Sequence, residues 1–328
     1  MIFENLPTTP TSEELLDKAF SRAARAGRAK GGYEAQESML QTSSNILGDN
    51  LRNVVTAWPD FDTVDPFYYE LADAVLRREF DDDRGVDALR QHLSEISWAA
   101  SKTHDLGREY IGKLPRGDTD SMRTVRKQGF ARMGSVMDQI EEDLDAVGRA
   151  RDALKGLPEI DPDDPTIVVA GYPNVGKSSF VNAVSTAKIE TAEYPFTTKG
   201  IEVGHLDVER VRWQIVDTPG LLDRPADERN EIENQTVSAL AHAGDVILFF
   251  LDASETCGYM LDDQRALRAE VAAEFGDVPL VTVCNKADLS EDVAADCYMS
   301  VENGEGVQAT LDAAVEAVGY EPTLPHEE

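Results

Sequence analysis

A glycine-rich loop that ends in lysine and serine is the segment of this sequence best suited to chemistry. It reads GYPNVGKS and lies between the apolar run TIVVA and a helical stretch. The backbone N–H groups of such a loop and the helix N-terminus carry partial positive charge, so they can cradle phosphates. The pattern predicts that Lys177 reaches the β- and γ-phosphates of a nucleotide and that the Ser178 hydroxyl binds Mg²⁺. The predicted nucleotide contacts in this loop are Gly171, Asn174, Val175, Gly176, Lys177, Ser178 and Ser179.

Two further segments complete the predicted phosphate and metal site. In DTPG, which follows the apolar run VRWQIV, Asp217 is expected to hold Mg²⁺ through water and the Gly220 N–H to bond the γ-phosphate. In the upstream segment YPFTTKG, Thr198 is preferred to Thr197 as a Mg²⁺ ligand that is released on hydrolysis. The predicted catalytic residues are Lys177, Thr198, Asp217 and Gly220, and the predicted Mg²⁺ ligands are Ser178, Thr198 and Asp217.

The tetrad NKAD, residues 285–288, predicts that the base is guanine. The carboxylate of Asp288 can accept hydrogen bonds from guanine N1–H and the 2-amino group together, whereas adenine would leave a buried charge unpaired. Asn285 is expected to bridge the nucleotide loops, and the stem of Lys286 to cover the base. Three later residues are expected to offer backbone N–H groups to guanine O6: Ser300, Val301 and Glu302. Each motif alone also occurs in ordinary loops, but their order predicts a protein that binds GTP and GDP.

The residue after Gly220 predicts slow hydrolysis. It is Leu221, at a position where a glutamine could orient the attacking water. Leucine offers no hydrogen bond for that purpose. Three sources of catalysis stay open: a monovalent cation, an element supplied by a partner, and substrate positioning alone.

The segments that carry these motifs predict an α/β domain over residues 164–320. Apolar runs (TIVVA, VRWQIVD, DVILFFLDAS and VPLVTVCN) alternate with helical stretches (KSSFVNAVS, QTVSALAHA and LDDQRALRAEVAAEF). This alternation is typical of a mostly parallel sheet with helices on both faces, as in a Ras-like P-loop GTPase domain. An acidic tail is expected at residues 321–328.

Residues 1–163 predict an all-α helical bundle domain. A Pro- and Asp-rich stretch, LPEIDPDDP, marks its end, and a second amphipathic stretch starts at Pro66 after a possible cap at Asp65. One long helical segment is expected to carry an apolar stripe. Packing inside a bundle is favoured for this stripe over a dimeric coiled-coil seam. Its residues are Met133, Val136, Met137, Ile140, Leu144, Val147 and Leu154.

The composition excludes several classes of protein. The chain has 328 residues, 41% of them hydrophobic, so it can form cores, and its three Cys residues show no C-x-x-C pairing. No apolar run is long enough for a membrane span, and the start lacks a signal sequence, so we expect a cytoplasmic protein. The formal net charge is −31. Such self-repulsion is screened in strong salt, which favours a halophilic origin over a merely acidic cytosolic protein.

Two basic segments are candidates for contact with nucleic acid. The first, KAFSRAARAGRAK, contains no acidic residue, and its candidate contacts are Arg22, Arg25, Arg28 and Lys30. The second contains Arg123, Arg126, Lys127 and Arg132. The alternative for both segments is an exposed helix face with solvated charges.

Several motifs together resemble the nucleolar GTP-binding protein 1 family of the Obg-related GTPases. They are GYPNVGKSS, YPFTTKGI, DTPGLLDRP, ERNEIENQTVSALAH and ETCGY, with FDTVDPFYYELADAVL and LPEIDP upstream. The resemblance implies a short, archaeal-type GTPase that acts in assembly of the large ribosomal subunit and docks on its rRNA through the helical domain.

The resemblance also implies a source of catalysis. In related GTPases with a hydrophobic residue at the Leu221 position, an Asn at the Asn174 position helps to bind K⁺, so potassium-stimulated hydrolysis is expected. We expect no oligomer and no membrane partner. Two alternatives stay open: a regulatory or RNA-modification GTPase unconnected with ribosomes, and a binding module that holds GTP without hydrolysing it.

Overall fold

The chain divides into two compact units. The structure, a computed structural model, describes residues 2–155, 157, 160–186, 190–192, 201–217, 219, 222–229 and 231–319. The first unit comprises Met1–Thr63 and Val75–Lys155, and the second comprises Val64–Ala74 and Gly156–Glu328. The predicted acidic tail at 321–328 lies outside the described residues. Among the described residues, no helix is long and apolar enough to cross a membrane.

Among the described residues, six helices precede the first strand, which confirms the predicted all-α N-terminal region. The third of them begins in the segment that groups with the second unit. The helices are α1 (Ser12–Arg28), α2 (Gly32–Thr56), α3 (Pro66–Phe80), α4 (Val86–Gly112), α5 (Thr119–Gln139) and α6 (Glu141–Leu154).

Local side-chain caps fix where these helices begin. Thr11 Oγ1 accepts from Glu14 N–H at 3.2 Å, and the Glu14 carboxylate accepts from Thr11 N–H at 3.0 Å, so a capping box starts α1. Asp65 Oδ1 accepts from Phe67 N–H at 2.9 Å, which confirms the predicted cap of α3. Because the hydrogen bond of Asp65 spans only two residues, the local sequence indicates it.

The predicted long helix over the apolar stripe is wrong, because the structure has two helices there. Ile140 has φ −106° and ψ 13°, and its N–H donates to Met137 O, so α5 ends before it. The next helix starts with Glu141, Glu142 and Asp143, whose charges suit a helix N-terminus. The apolar periodicity continues across the break between α5 and α6, so the sequence pattern does not indicate this break. All seven predicted stripe residues are buried within this unit, as expected for a bundle.

Small residues allow α2 and α4 to pack closely in the first unit. A Cβ atom added at Gly107 of α4 would lie 2.3 Å from Ser44 Oγ and 2.5 Å from Ser44 Cβ of α2. Leu40 and Leu47 of the same helix α2 are fully buried. Helix packing at this short distance therefore depends on a missing side chain at position 107.

In its described residues the second unit contains a seven-stranded sheet, which confirms the predicted mostly parallel α/β arrangement. The strand order is β2-β3-β4-β1-β5-β6-β7; the β2–β3 and β3–β4 pairings are antiparallel, and the other four pairings are parallel. The sequence analysis does not predict β2, β3, β7 or α10. The strands are β1 (Thr166–Ala170), β2 (Glu190–Ala192), β3 (Ile201–Val208), β4 (Val211–Asp217), β5 (Val246–Asp252), β6 (Leu280–Asn285) and β7 (Cys297–Tyr298), and the helices are α7 (Lys177–Val184), α8 (Glu231–Ala243), α9 (Leu261–Glu274) and α10 (Val307–Val318).

The parallel register brings several polar chain positions to one edge of this sheet. Val169 of β1 pairs with Asp217 of β4, and Asp252 of β5 pairs with Asn285 of β6. The strands behind them are buried over most of their lengths. Ligands of open α/β sheets bind at the carboxyl ends of the strands, so this edge is the place to look for a site.

The α2–α4 crossing predicts opposite effects for two glycine substitutions. Gly107→Ala should lower the free energy of unfolding by about 1 to 3 kcal/mol, because the new methyl group overlaps Ser44. Gly134→Ala in α5 should raise the free energy of unfolding by up to about 1 kcal/mol. A Cβ at this position would meet no neighbouring atom within 4 Å, and alanine favours the helix. Urea unfolding of both variants measures the two changes. Equal effects of the two substitutions would contradict a close contact at position 107.

Candidate nucleotide-binding site

Two glycines in the left-handed region shape the loop between β1 and α7. Gly171 has φ +130°, and a Cβ there would lie 2.6 Å from Phe250 O. Gly176 has φ +104°, and a Cβ there would lie 2.1 Å from the amide nitrogen of Asn285. Both positions therefore require glycine for conformation and for space. The loop can pass close to the neighbouring strand and to the predicted base-binding tetrad for this reason.

The ammonium group of Lys177 lies against the glycine-rich loop. Its Nζ donates to Gly171 O at 2.6 Å and to Tyr172 O at 3.0 Å, and the residue is buried. Lys177 is also the first residue of α7. A positive charge, a helix N-terminus and a left-handed loop thus coincide, which is the electrostatic environment that binds a phosphate group.

The predicted Mg²⁺ ligands Ser178 and Asp217 are in direct contact. The Ser178 hydroxyl donates to Asp217 Oδ2 at 2.5 Å, and Asp217 is fully buried at the end of β4. A hydroxyl and a carboxylate side by side are the oxygen ligands that Mg²⁺ prefers, so the pair fits this ion. The other predicted contacts to the ion and the γ-phosphate, Thr198 and Gly220, lie outside the described residues, as does Leu221.

Asn285 links the loops on both sides of the predicted base site. Its amide Nδ2 donates to Val175 O at 2.7 Å, and its Oδ1 accepts from Val301 N–H at 3.2 Å. These two bonds connect the end of β6 to the glycine-rich loop and to the segment after β7. They have the bridging geometry that the sequence predicts for Asn285.

Two of the backbone N–H groups predicted to face guanine O6 form hydrogen bonds within the protein in this structure. Ser300 N–H donates to Glu305 O at 2.9 Å, and Val301 N–H donates to Asn285. These bonds hold the segment after β7 in a turn beside the cavity. Readout of O6 by these two N–H groups would require them to exchange partners.

One cavity of about 380 Å³ collects most of the predicted nucleotide contacts. This volume lies within the range of small-ligand sites. Residues of the glycine-rich loop line one side, and residues of the tetrad and of the segment after β7 line the other. The lining residues are Asn174, Gly176, Ser179, Asn285, Lys286, Asp288, Leu289, Ser300, Val301 and Glu302.

Asp252 at the end of β5 is a functional candidate that the sequence reasoning missed. Its carboxylate accepts from Lys286 Nζ at 2.8 Å, and Thr256 Oγ1 lies 3.0 Å from the same ammonium group. Lys286 itself has φ +58°, an uncommon conformation for a residue with a side chain. Asp252 thus fixes the lysine of the guanine tetrad from the neighbouring strand.

Several donors keep the Asp252 carboxylate ionised. Burial raises its pKa, but hydrogen bonds from Lys286, Ser254, Cys257 N–H and Thr256 outweigh burial and lower the pKa to about 2. The carboxylate is therefore charged throughout the neutral range. An acidic residue directly after the apolar run VILFFL, at the same sheet edge as Asp217, was the signal in the sequence that could have identified it.

The loop that Asp252 organises also reaches the glycine-rich loop. The ring of Tyr259 stacks on the ring of Tyr172 with centroids 4.1 Å apart. Gln264 of α9 holds this arrangement, because its amide donates to Tyr259 O at 2.9 Å and to Asp252 O at 3.1 Å. The β5–α9 loop therefore contacts both the tetrad and the predicted phosphate site.

Comparison with known protein families gives two matches that together span most of the chain. Residues 3–161 match the family described as the NOG1 N-terminal helical domain. Residues 166–286 match the family described as 50S ribosome-binding GTPase. The second unit thus contains a P-loop GTPase domain, as the sequence predicts.

Individual proteins and one solved structure are also similar to this chain. An uncharacterized protein of Methanocaldococcus jannaschii is 35% identical over 88% of this chain and 82% of its own length. Nucleolar GTP-binding protein 1 of Drosophila melanogaster is 32% identical over 88% of this chain and 44% of its own length. The chain spans about half the length of the nucleolar GTP-binding protein 1 relatives that it matches. A crystal structure described as nucleolar GTP-binding protein 1 from Plasmodium falciparum is 36% identical over 50% of this chain and 90% of its own, with a TM-score of 0.46.

The contact between Asp252 and Lys286 predicts weaker nucleotide binding in the Asp252→Asn variant. Asparagine keeps the shape but loses the charge, so Lys286 is held less firmly, and we expect the Kd for a fluorescent GDP analogue to rise about tenfold. Asp245→Asn is the matched control. Asp245 directly precedes the first residue of β5, at the opposite end of this strand from Asp252, and accepts from Thr166 N–H. This variant should bind GDP like the wild type. Unchanged affinity in Asp252→Asn would show that the contact does not support binding.

Proposed function

Because the chain belongs to the nucleolar GTP-binding protein 1 family, we propose that it is a GTPase that acts as a nucleotide-dependent switch in assembly of the large ribosomal subunit. One observation carries the nucleotide part of the proposal: a single cavity gathers residues of the glycine-rich loop and of the guanine tetrad. The ribosomal part is supported by the family of the GTPase domain, which is described as ribosome-binding.

Each residue at the sheet edge has a chemical role in this proposal. Asp288 selects guanine through N1–H and the 2-amino group, and Lys177 binds the β- and γ-phosphates. Ser178 and Asp217 hold Mg²⁺, with Thr198 as a further ligand. When bound, Mg²⁺ neutralises charge that develops on the phosphates. The fixed contact between Ser178 and Asp217 supports these assignments, because little rearrangement separates it from a metal-binding geometry.

The proposed moving parts are Thr198 and the segment after Gly220. Just beyond this segment the chain is anchored, because the side chain of Arg229 is fully buried and both Glu274 oxygens accept from its Nη1 at 2.9 Å. Arg224 donates to Glu233 of α8 at 2.7 Å. These partly buried pairs would limit the moving segment after Gly220 to the short stretch between β4 and Arg224.

We propose slow hydrolysis that K⁺ stimulates. Leu221 offers no group that orients water, and a monovalent cation beside the phosphates would supply positive charge in its place. Asn174 has φ +65°, is exposed and lines the cavity, so its amide oxygen is available for a cation next to the phosphates. The position of this side chain supports the potassium proposal.

The potassium proposal predicts a difference between salts at equal ionic strength. GTP hydrolysis should be about tenfold or more faster in KCl than in NaCl, because K⁺ supplies charge in the transition state. Asn174→Ala should lose this stimulation. Ser179→Ala is a control in the same loop and should keep the stimulation. Phosphate release under single-turnover conditions measures the rate, and equal rates in the two salts would contradict the proposal.

We propose that the helical unit docks on rRNA through its basic segments. Arg22, Arg25, Arg28 and Lys30 are all exposed, on α1 or just after it. Phosphate contacts require charges in such positions. The high net negative charge of the chain also supports function in a salt-rich cytoplasm, where repulsion from RNA is screened.

Two basic segments that are distant in the sequence lie at one end of the first unit. Met39 of α2 fills the space at Gly27, where a Cβ would lie 2.1 Å from Met39 Cε. The Met39 sulfur in turn lies 3.4 Å from Arg126 Nη1 of α5. The end of α1 and the start of α5 are therefore neighbours. A combined basic surface supports RNA docking better than either segment alone.

Sedimentation with large-subunit precursors tests the switch proposal. In molar KCl we expect more protein to co-migrate when it is loaded with a non-hydrolysable GTP analogue than with GDP. Arg25→Glu with Arg28→Glu should reduce co-migration, whereas Arg265→Glu, an exposed arginine of α9, should not. A protein that hydrolyses GTP but co-migrates in neither state would be a GTPase without this ribosomal role.

A further inference from the structure

A groove between α4 and α5 combines an exposed aromatic ring with several cations. The groove encloses about 340 Å³, and Leu106 and Val136 contribute its apolar part. Residues on the same stripe of α4 form one wall, since they follow each other at helical spacing. The other wall belongs to α5. The polar and aromatic lining residues are Trp98, Lys102, Glu109, Tyr110 and Lys113 of α4 and its end, with Arg132, Ser135 and Gln139 of α5.

Trp98 is unusual in its exposure. Its relative exposure is 45%, whereas Trp213 in the second unit is 2% exposed. Leaving a large aromatic ring in water forgoes the stabilisation that its burial would give. A tryptophan on the rim of a groove therefore indicates a ligand that covers it.

Charges in the groove favour an anionic ligand. Lys113 Nζ bonds Glu109 at 2.5 Å, and the pKa of Glu109 is lowered by this hydrogen bond and by the nearby charges of Lys113, Lys102 and Arg132. The negative charge of Glu109 is thus compensated mainly by the positive charge of Lys113. In the described part of the chain, neither Lys102 nor Arg132 forms an ion pair. The groove therefore presents positive charge on a chain whose formal net charge is −31.

Tyr110 is fixed and leaves Trp98 as the accessible aromatic surface. Tyr110 packs against Gly129 of α5, where a Cβ would lie 3.1 Å from Tyr110 Cγ. Lys113 Nζ lies 4.7 Å from the centroid of the Tyr110 ring and covers its face. Among the ring contacts of the described residues, no cation or aromatic ring lies over the ring of Trp98. A ligand that stacks in this groove would therefore stack on Trp98.

We propose that this groove binds an unpaired nucleotide of single-stranded RNA, with its base on Trp98 and its phosphates on Lys102 and Arg132. The inference deepens the proposed docking on rRNA and rests on it. Every base has a flat aromatic face, and base stacking with phosphate contacts is the usual way in which proteins hold single strands. An acidic peptide would use the cations but would leave the Trp98 face uncovered.

Anisotropy of a labelled oligouridine of about twelve nucleotides tests the groove with the full chain. Trp98→Ala should weaken binding about tenfold or more, and Trp98→Phe should lose less, because a ring remains for stacking. Lys102→Gln and Arg132→Gln should each make the slope of log K against log salt less steep by about 0.7. This change corresponds to the loss of one phosphate contact on a single strand. Trp58→Phe, a half-buried tryptophan of the same unit, is the matched control and should bind like the wild type. Quenching of Trp98 fluorescence on binding should accompany the wild-type transition.

Three outcomes would overturn the inference. Wild-type affinity in Trp98→Ala, with unchanged salt slopes in the two cation variants, would place RNA elsewhere. Equal binding of a poly-glutamate peptide would identify an acidic segment of a protein as the ligand. Equal affinity for double-stranded RNA would exclude an inserted unpaired base. Sedimentation with large-subunit precursors separates the groove proposal from the proposed ribosomal role. If the wild type co-migrates with precursors and Trp98→Ala keeps its full affinity, only the groove proposal is removed. If the wild type binds oligouridine but does not co-migrate with precursors, the ribosomal role is removed.

Discussion

The pairing of parallel strands is the constraint on which the rest of the second unit depends. Parallel strands end at the same edge, so the residues that follow β1, β4, β5 and β6 must meet there. The glycine-rich loop, Asp217, Asp252 and Asn285 consequently share one edge although long stretches of chain separate them. Loop residues can then provide the chemistry, while buried strands hold their positions.

Hydrogen bonds between these loops make the edge a single site. Asn285 bonds the glycine-rich loop 110 residues upstream, and Asp252 bonds Lys286 34 residues downstream. Both contacts involve buried or half-buried groups, where an unpaired partner would be costly. Loss of one contact would therefore affect the loops on both sides. This coupling gives a physical reason for nucleotide loops to act as one unit.

The helical unit follows a different principle. Its helices pack through small residues and leucines, as at Gly107 and Ser44, and its charged residues stay on the surface. A chain with formal net charge −31 repels nucleic acid overall. Local groups of cations at the end of α1 and in the α4–α5 groove are therefore the surfaces through which such a unit could approach RNA. In the proposed groove, exposed Trp98 would add a stacking contact that depends less on salt than phosphate pairing does.

The sequence by itself determined what depends on residues close together in the chain. The glycine-rich loop, the guanine tetrad, the cap at Asp65 and the alternation of strand and helix are local patterns, because dihedral angles, capping and hydrophobic period act over a few residues. Only the tertiary structure decided the break at Ile140, where the apolar period runs on without interruption. It also decided that Asp252 holds Lys286, that Met39 joins α1 to Arg126, and that Trp98 faces a basic groove. These features depend on strand register and helix packing, which are set by contacts between distant residues rather than by any local pattern.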